Sequence, residues 1–402
     1  MRFKKVDGID YKRGAKEYAQ KLGPSDRHHL LTKPFYNLAH KHERWEGDGL
    51  DPDTHRHFCD FANIAMVLAL PPGARLLDVG CGSGWLCEYF ARFGYDATGI
   101  DLSPEMIEMA RDRLNKVPFG LDHESNFKAR FLVHDIELAP LAETFDAIIC
   151  YDSLHHFEDE HAVMKNLASM LSNGGQLFVL EGERPPEGSA TESELRSVMK
   201  QYETLESPFP REYLLELLGE YGFVVVGDYI SVNGLFDRER IGSDRTLHIE
   251  ESAAESFNYF LCKKVSEGQS RDSRNPGLLT ANISVVGEHS HTVEAGGTIK
   301  AQLEIANTGD TVWLVSRSAP TGTVRIGIKV LNERNELISE VHGSPRLSRV
   351  LAPGEKVMVN LAQQVPKQPG SYRLKVDLVC QDICWFEQHG STPLILDFDV
   401  VE

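Results

Sequence analysis

The sequence lacks any apolar run that approaches the roughly 18 residues required by a membrane-spanning helix. Near its first residue it also lacks an apolar segment, because Met1 to Lys5 lead into polar and charged residues, so we expect no secretory signal. Cysteine is scarce and odd in number: there are seven, and no two form a CxxC pair. Scattered cysteines of this kind are typical of reduced thiols. These absences predict a cytoplasmic protein with no membrane span.

Positive charge is in short supply as well. Lysine and arginine number 42 against 60 aspartate and glutamate residues, and nearly all of the resulting charge of −18 lies between residues 61 and 274. A field of this sign repels phosphate backbones, so we expect no nucleic-acid partner. Six of the 16 histidines fall within the first 70 residues, at irregular spacings that match no zinc pattern. No metal site is predicted.

The first two thirds of the chain alternate between two kinds of pattern. Residues 1–70, which include a helical pattern from Thr54 to Leu70, are predicted to form an N-terminal helical lid or extension. Residues 71–265 alternate short β-type runs with helical patterns, which predicts an α/β domain with a doubly wound, mostly parallel sheet. The last two strands are predicted to form an antiparallel hairpin at the sheet edge. Seven strands are predicted, at residues 75–79, 96–100, 129–134, 145–150, 175–180, 223–230 and 256–263.

The last third of the chain has a different pattern. Residues 266–280 are polar and aperiodic, which predicts a linker. Beyond it, apolar residues recur at every second position, as in 299–305 and 357–361, and turn signals such as Ala352-Pro-Gly-Glu separate these runs. This alternation is typical of half-buried strands, so residues 281–402 are predicted to form an antiparallel β-sandwich.

Three glycines, Gly80, Gly82 and Gly84, follow the first predicted strand and precede a helix predicted from Trp85 to Phe93. Glycines at such a turn let the backbone approach a ligand closely. Asp101 ends the second strand, where its carboxylate can accept hydrogen bonds from both hydroxyls of a ribose.

A third strand ends at Asp135, whose carboxylate can accept the exocyclic amine of an adenine. Leu102 and Ile136 stand beside the two acidic residues and can sandwich the ring. Three strand ends thus point to one nucleoside-binding site. A dinucleotide enzyme would need space for a pyrophosphate at the helix N-terminus, where the bulky Trp85 narrows the room.

The glycine turn, Asp101, Asp135 and the strand 145–150 resemble the class I methyltransferase family over about residues 54–264. The resemblance implies S-adenosylmethionine as cofactor, with Gly80 and Gly82 under its methionine moiety and Asp101 on its ribose. In the lid, Tyr11, Tyr36 and Trp45 are candidates to close over the cofactor or acceptor, with ordinary packing as the alternative. The predicted cofactor site also includes Asp78, Cys81, Gly84 and Tyr151.

A paired histidine, His155-His156, follows strand four at the carboxyl end of the sheet. A hydroxyl acceptor of a methyl group must lose its proton, and a histidine is suited to take it. Glu181 ends strand five and can orient an imidazole. We predict His155 with Glu181 as the catalytic pair and His156 as a further catalytic candidate, an arrangement similar to that of sugar O-methyltransferases. In the alternative, a histidine of this loop only caps the following helix or packs.

The sandwich resembles an Ig-like module of bacterial polysaccharide-processing proteins through Asp310-Thr-Val-Trp313, Pro369-Gly-Ser-Tyr372 and Trp385. Trp313 and Trp385 either stack on sugar rings or pack within the sandwich. The resemblances together predict O-methylation of a saccharide hydroxyl in surface-polysaccharide biosynthesis. Two alternatives stay open. One is a small-metabolite O- or N-methyltransferase whose sandwich forms a homodimer, and the other is a degenerate methyltransferase scaffold that serves a binding module.

Overall fold

The computed structural model describes residues 5–36, 50–116, 128–231, 257–264, 272–274, 276–287, 291–315, 321–343 and 345–402. The chain divides into two compact units, residues 1–264 and 265–402. Among the described residues, no helix has both the length and the apolar composition needed to cross a membrane. The lid candidate Trp45 lies outside the described residues.

The first unit alternates helices and strands in the predicted way. Its helices are α1 (Tyr11–Lys21), α2 (Pro24–Thr32), α3 (Pro52–Leu68), α4 (Trp85–Arg92), α5 (Pro104–Lys116), α6 (Glu160–Met170), α7 (Ala190–Tyr202) and α8 (Arg211–Glu220). Its strands are β1 (Arg75–Val79), β2 (Asp96–Asp101), β3 (Ala129–Val133), β4 (Phe145–Tyr151), β5 (Leu171–Gly182), β6 (Phe223–Tyr229) and β7 (Phe257–Lys264). Each predicted strand is present, and only β5 starts well before its predicted first residue.

The seven strands form one sheet in the order β3-β2-β1-β4-β5-β7-β6. Strands β1 to β5 pair in parallel, whereas β7 is antiparallel to both of its neighbours, β5 and β6. The predicted antiparallel hairpin is therefore confirmed. Because β7 lies between β5 and β6, β6 forms the edge of the sheet.

Helices cover both faces of this sheet, as the α/β prediction required. The neighbouring residues Leu76 and Leu77 are fully buried on opposite faces, because successive side chains of a strand alternate. Leu76 packs in a core with Ile64 of α3, and Leu77 packs in another with Met164 of α6. Helix α3 thus belongs to the core of the unit, which differs from the predicted lid over residues 1–70.

The second unit contains two sheets that enclose one core. Leu303, Ile328 and Val376 come from both sheets and are buried together in that core. The strands are β8 (Ala281–Val286), β9 (Thr292–Glu294), β10 (Thr298–Asn307), β11 (Val324–Asn332), β12 (Leu337–His342), β13 (Lys356–Gln364), β14 (Gly370–Cys380), β15 (Cys384–Trp385) and β16 (Leu394–Val401). One sheet has the order β13-β10-β8, and the other has the order β12-β11-β14-β16-β9 with β15 beside β14. The prediction of a wholly antiparallel sandwich needs one correction, since β16 pairs with β9 in parallel.

The segment predicted as a linker, residues 266–280, is partly folded. Leu279 is fully buried in the core of the second unit, and the buried Ser273 accepts the N–H of Leu314 at 3.0 Å. The described residues from 272 onward therefore pack with the second unit. The segment is mostly polar, and two adjacent leucines, Leu278 and Leu279, are too few to show an apolar period. The sequence pattern therefore did not predict this packing.

The two tryptophans of this unit have different environments. Trp313 is fully buried and packs edge to face on Phe386, with 5.1 Å between ring centroids. Its alternative role in the sandwich core is therefore the one observed. Trp385 is half-buried on the six-stranded sheet, where the Nζ atom of Lys329 lies 3.8 Å from the centroid of the Trp385 ring. Gly327 leaves the space that this ring fills.

Candidate functional site

The glycine turn after β1 depends on left-handed backbone conformations. Gly80, Gly82 and Gly84 have φ angles of +73°, +52° and +75°, a region that residues with a Cβ atom seldom adopt. A Cβ atom on Gly82 would meet no atom within 4 Å, whereas one on Gly84 would lie 2.6 Å from the Phe131 ring. Gly82 therefore borders open space, and Gly84 lets α4 pack closely on the sheet.

Asp101 ties this turn to the end of β2. Its carboxylate accepts the backbone N–H of Gly82 at 3.0 Å and that of Ser103 at 2.8 Å. Burial raises the pKa of Asp101, while these N–H groups act against that rise. The carboxylate is thereby held in one orientation at the carboxyl end of the sheet.

A cavity of about 230 Å³ opens at this end of the sheet. Predicted cofactor residues that line it are Gly80, Gly82, Asp101, Leu102, Asp135 and Ile136. Tyr11, a lid candidate, also lines it, together with Lys12 and Tyr18 of α1. Thr204, Leu205 and Glu206, in the loop after α7, line the cavity as well, and the sequence patterns did not predict them.

Asp135 has a partner that the sequence did not predict. Its Oδ2 atom lies 2.8 Å from Nζ of Lys12, which also lies 3.0 Å from Glu137. The other oxygen of Asp135 accepts the N–H of Glu137 at 3.2 Å. The proposed partner of an adenine amine is therefore engaged by an N-terminal cation, and the two acids in turn raise the pKa of Lys12 against the opposing effect of burial.

Some of the predicted cofactor residues do not line this cavity. Gly84 supports helix packing, as described above, and Cys81 is buried against Gly99 of β2. Asp78 is also buried and accepts the thiol of Cys87 at 3.6 Å. Burial raises the pKa of Asp78 to about 7, despite that hydrogen bond.

Tyr36 and Tyr151 also lie away from the cavity wall. Tyr36 is buried and stacks on His29, with 3.9 Å between ring centroids. Tyr151 donates its hydroxyl to Asp60 of α3 at 2.7 Å. Both side chains pack where the N-terminal helices meet the sheet. For Tyr36 this is ordinary packing, the alternative to closing over the cofactor or acceptor.

The predicted pair of His155 and Glu181 is in contact. Nδ1 of His155 lies 2.7 Å from Oε2 of the fully buried Glu181. The other carboxylate oxygen accepts the N–H groups of Ser153 at 2.8 Å and Leu154 at 2.6 Å. Glu181 therefore fixes both the imidazole and the backbone of the loop that carries it.

A second acid faces the other side of His155. Its Nε2 atom lies 3.4 Å from Oε2 of Glu206. Burial lowers the pKa of His155, but Glu181, Glu206 and Asp152 outweigh it, and the net pKa lies well above the ordinary value. Glu206 is affected in return: burial would raise its pKa, yet the two histidines lower it to about 2. His155 thus lies between two carboxylates that favour its protonated form.

His156 faces the cavity, whereas His155 does not line it. Nδ1 of His156 lies 2.7 Å from the carbonyl oxygen of Leu205. Because a carbonyl only accepts, this ring nitrogen carries the hydrogen and the neutral ring has its lone pair on Nε2. The loop after α7 thus sets the tautomer of the cavity histidine.

Two groups of side chains here include metal-ligating types. One atom from each of His155, His156 and Glu206 lies within 4.8 Å of the others, and the same holds for Asp152, His155 and Glu181. Hydrogen bonds already join Nδ1 of His155 to Glu181 and Nδ1 of His156 to Leu205. The contacts of both groups are thus accounted for by hydrogen bonds and ion pairs within the protein.

Comparison with known proteins relates the region that carries these residues to methyltransferases. Residues 36–227 match a family model described as "Methyltransferase domain". The ubiquinone biosynthesis O-methyltransferase of Xanthomonas axonopodis pv. citri (strain 306) is 37% identical over 166 residues, which are 40% of this chain and 64% of that protein. The chain contains an S-adenosylmethionine-dependent methyltransferase domain.

The chain is also similar to two further proteins. The protein of the same name from Xanthomonas oryzae pv. oryzae (strain PXO99A) is 36% identical over 147 residues, which are 35% of this chain and 57% of that protein. This chain therefore spans less than two thirds of the length of these relatives. The magnesium protoporphyrin IX methyltransferase of Synechocystis PCC 6803, crystallised with S-adenosylmethionine, aligns over 65% of this chain and 100% of its own with 17% identity and a TM-score of 0.40.

The cavity of the methyltransferase domain suits the nucleoside part of S-adenosylmethionine. Gly82 offers unfilled space, and Asp101 presents a fixed carboxylate for ribose hydroxyls. Ser153 lines the same cavity, and its buried Oγ atom has no hydrogen-bond partner among the described residues. A buried hydroxyl without a partner is costly, and a bound ligand would supply one.

Proposed function

We propose that this protein is an O-methyltransferase that moves the methyl group of S-adenosylmethionine to a hydroxyl of a small-molecule acceptor. One observation carries the proposal: His156 lines the same cavity as Gly82 and Asp101, with its tautomer set by Leu205. When bound, S-adenosylmethionine supplies an electrophilic methyl group. The residues of this chain then have to bind the acceptor and take its proton.

The proton is taken by Nε2 of His156. Both ring nitrogens of His155 face carboxylates, Glu181 and Glu206, which favour its protonated form, so it is poorly suited to accept a proton. His156 in its neutral form has its lone pair on Nε2, because Nδ1 donates to Leu205. A general base must reach the acceptor hydroxyl, and of the two histidines only His156 lines the cavity.

His155 and Glu181 act as positioning residues in this proposal. Their hydrogen bond, and the two N–H groups that Glu181 accepts, hold the loop that carries His156. His155 also orients Glu206, a carboxylate on the cavity wall. The sequence-based prediction of His155 as the base stays a prediction, and the geometry favours its neighbour.

Two classes of acceptor have separate support. The Xanthomonas relatives are named as O-methyltransferases of ubiquinone biosynthesis, which supports a precursor of ubiquinone. The resemblance of the second unit to glycan-associated modules supports a saccharide hydroxyl instead. Trp313 cannot contribute to sugar stacking because it is fully buried, so the saccharide proposal depends on the half-buried Trp385. The similarity of the methyltransferase domain itself to these relatives favours the ubiquinone precursor.

The state of the cysteines bears on the location of the protein. All seven are free thiols, including Cys380 and Cys384, which stand opposite each other on the antiparallel strands β14 and β15. This state supports the proposed cytoplasmic location.

A homodimer formed by the second unit is tested by the mass of the purified protein in solution. The scaffold alternative is tested by calorimetry, since it requires that S-adenosylmethionine does not bind.

The test uses labelled S-adenosylmethionine with two acceptor sets, a hydroxylated ubiquinone precursor series and a cell-envelope glycan extract. We expect labelled methyl ether in the first set. His156→Ala should lower turnover by about 10² to 10⁴ while calorimetry shows nearly unchanged cofactor affinity. His161→Ala, an exposed histidine of α6, is the matched control and should retain full activity. Full turnover by His156→Ala would disprove its role as the base, and label only in glycan would establish the saccharide acceptor.

A further inference from the structure

The order of the strands indicates where each part of the cofactor lies. Strands β3, β2, β1 and β4 are neighbours in the sheet. Asp135 follows β3 and Asp101 ends β2, so the proposed adenine and ribose contacts occupy that half of the site. The methionine part must then extend over the carboxyl ends of β1 and β4. The group of the cofactor on that side is then its amino-acid headgroup, which carries one carboxylate and one ammonium.

Lys33 does not line the cavity, but it lies near two residues that stand at the carboxyl ends of β1 and β4. Its Nζ atom lies 5.7 Å from the ring centroid of Trp85, at the start of α4, and 5.6 Å from that of Tyr151, at the end of β4. It makes no hydrogen bond or ion pair with any residue that the structure describes. Burial lowers the pKa of Lys33, as expected for an ammonium with few polar neighbours. An ammonium between two aromatic rings, with no polar partner among the described residues, is costly unless another group such as a ligand completes it.

Opposite charge is nearby but not in contact. Asp152 and Asp78 both raise the pKa of Lys33 through their charges, although no ion pair joins either of them to it. Asp152 lines the cavity and has a left-handed backbone, with φ of +52°. Its N–H donates to the carbonyl of Leu180 at 2.7 Å, which ties it to the end of β5. A lysine near the carboxyl ends of β1 and β4, together with an acid on the cavity wall, matches the two charges of an amino-acid headgroup.

We propose that Lys33 binds the α-carboxylate of the methionine part of S-adenosylmethionine, with Asp152 beside the α-ammonium group. This inference rests on the proposed function, because it assumes that the nucleoside lies on Asp101. It assigns a role to a residue of the N-terminal segment that the glycine-turn pattern does not reach. Lys33 is then the contact by which that segment recognises the amino-acid end of the cofactor.

The test compares two ligands that differ only in this carboxylate. Calorimetry measures the affinity of the wild-type chain, Lys33→Met and Lys33→Arg for S-adenosylmethionine and for its decarboxylated analogue. A hydrogen bond between charged partners predicts that the wild type prefers the carboxylate form by about 10- to 100-fold. Lys33→Met should lose this preference and bind the analogue within about threefold of the wild type. Lys33→Arg should keep the preference, and Lys165→Met, on the exposed side of α6, is the matched control.

The possible outcomes are distinct. A preference that persists in Lys33→Met overturns the inference, and equal weakening of both ligands shows that Lys33 only supports the fold. If Lys33→Met does not fold, as judged by thermal unfolding, the wild-type comparison decides alone, since equal affinity for the two ligands excludes any carboxylate contact. Failure of the wild type to bind either ligand overturns the proposed function itself.

Discussion

Oε2 of Glu181 lies 2.7 Å from Nδ1 of His155, and both side chains are buried. The same carboxylate accepts two backbone N–H groups of the loop after β4. One acid therefore makes three hydrogen bonds within a single loop. The position of His156 follows from this network, because it is the next residue in that loop.

Glu181→Gln should destabilise the loop and slow the reaction. The amide can accept only through one atom, so at least one buried donor loses its partner. We expect the free energy of unfolding to fall by about 2–4 kcal/mol and turnover to fall by about 10- to 100-fold. Urea unfolding and initial rates measure the two effects. Glu187→Gln is the control, since Glu187 is exposed, and equal behaviour of the two variants would contradict the network.

Gly82→Ala and Gly84→Ala should separate binding from stability. At Gly82 the added methyl group meets no atom within 4 Å, so only the left-handed backbone is strained, at about 1–2 kcal/mol. At Gly84 it would also lie within 2.7 Å of Phe131 and Ala110, which adds about 1–3 kcal/mol. Urea unfolding should therefore rank Gly84→Ala as the less stable variant. Calorimetry should rank Gly82→Ala as the weaker cofactor binder among folded variants, and the reverse order would refute this assignment.

Asp78 should make the stability of the cofactor-free protein fall as the pH rises. Burial raises its pKa from 3.8 to about 7, so the folded protein keeps a proton that the unfolded chain releases across this range. Since the folded state binds more protons, the free energy of unfolding declines between about pH 4 and pH 7. Asp78→Asn should remove up to about 4 kcal/mol of this decline. Urea unfolding across that range measures it, and an equally steep decline in Asp78→Asn would exclude the residue, with the exposed Asp7→Asn as control.

Gly327→Ala should disturb Trp385 in the second unit. The added methyl group would overlap the Trp385 ring, which Lys329 contacts at 3.8 Å from its centroid. We expect a loss of about 1–3 kcal/mol in unfolding free energy and a change in tryptophan fluorescence. Gly354→Ala is a useful comparison because no atom lies within 4 Å of its added methyl group, although its φ of +83° adds backbone strain. Unchanged fluorescence in Gly327→Ala would show that the ring is not held against the sheet.

The sequence predicted strands well because their apolar runs end at glycines and acids, as β1 and β2 do before Gly80 and at Asp101. It could not place β7 between β5 and β6, since the period of a strand carries no information about its neighbours. The sequence could not predict the contact of Asp135 with Lys12 either. Such contacts depend on how distant segments pack, and no local pattern encodes them.

The histidine pair illustrates the same limit at the level of the site. From the sequence, His155 is the preferred base and His156 a further candidate, although both follow the same strand. Their roles separate only through Glu206 and Leu205, in a loop that shows no catalytic motif. Residues 52–68 show a related limit: their pattern predicted a helix, but within a lid or extension over residues 1–70, whereas α3 packs in the core of the unit.

The position of β7 has a consequence for synthesis of the chain on the ribosome. Strands β5 and β6 emerge first, and each presents an unpaired backbone edge until residues 257–264 follow. An exposed edge is a template for pairing with other chains. The nascent domain is therefore most open to misassembly while the segment before β7 is being made, and slower translation there would lengthen that interval.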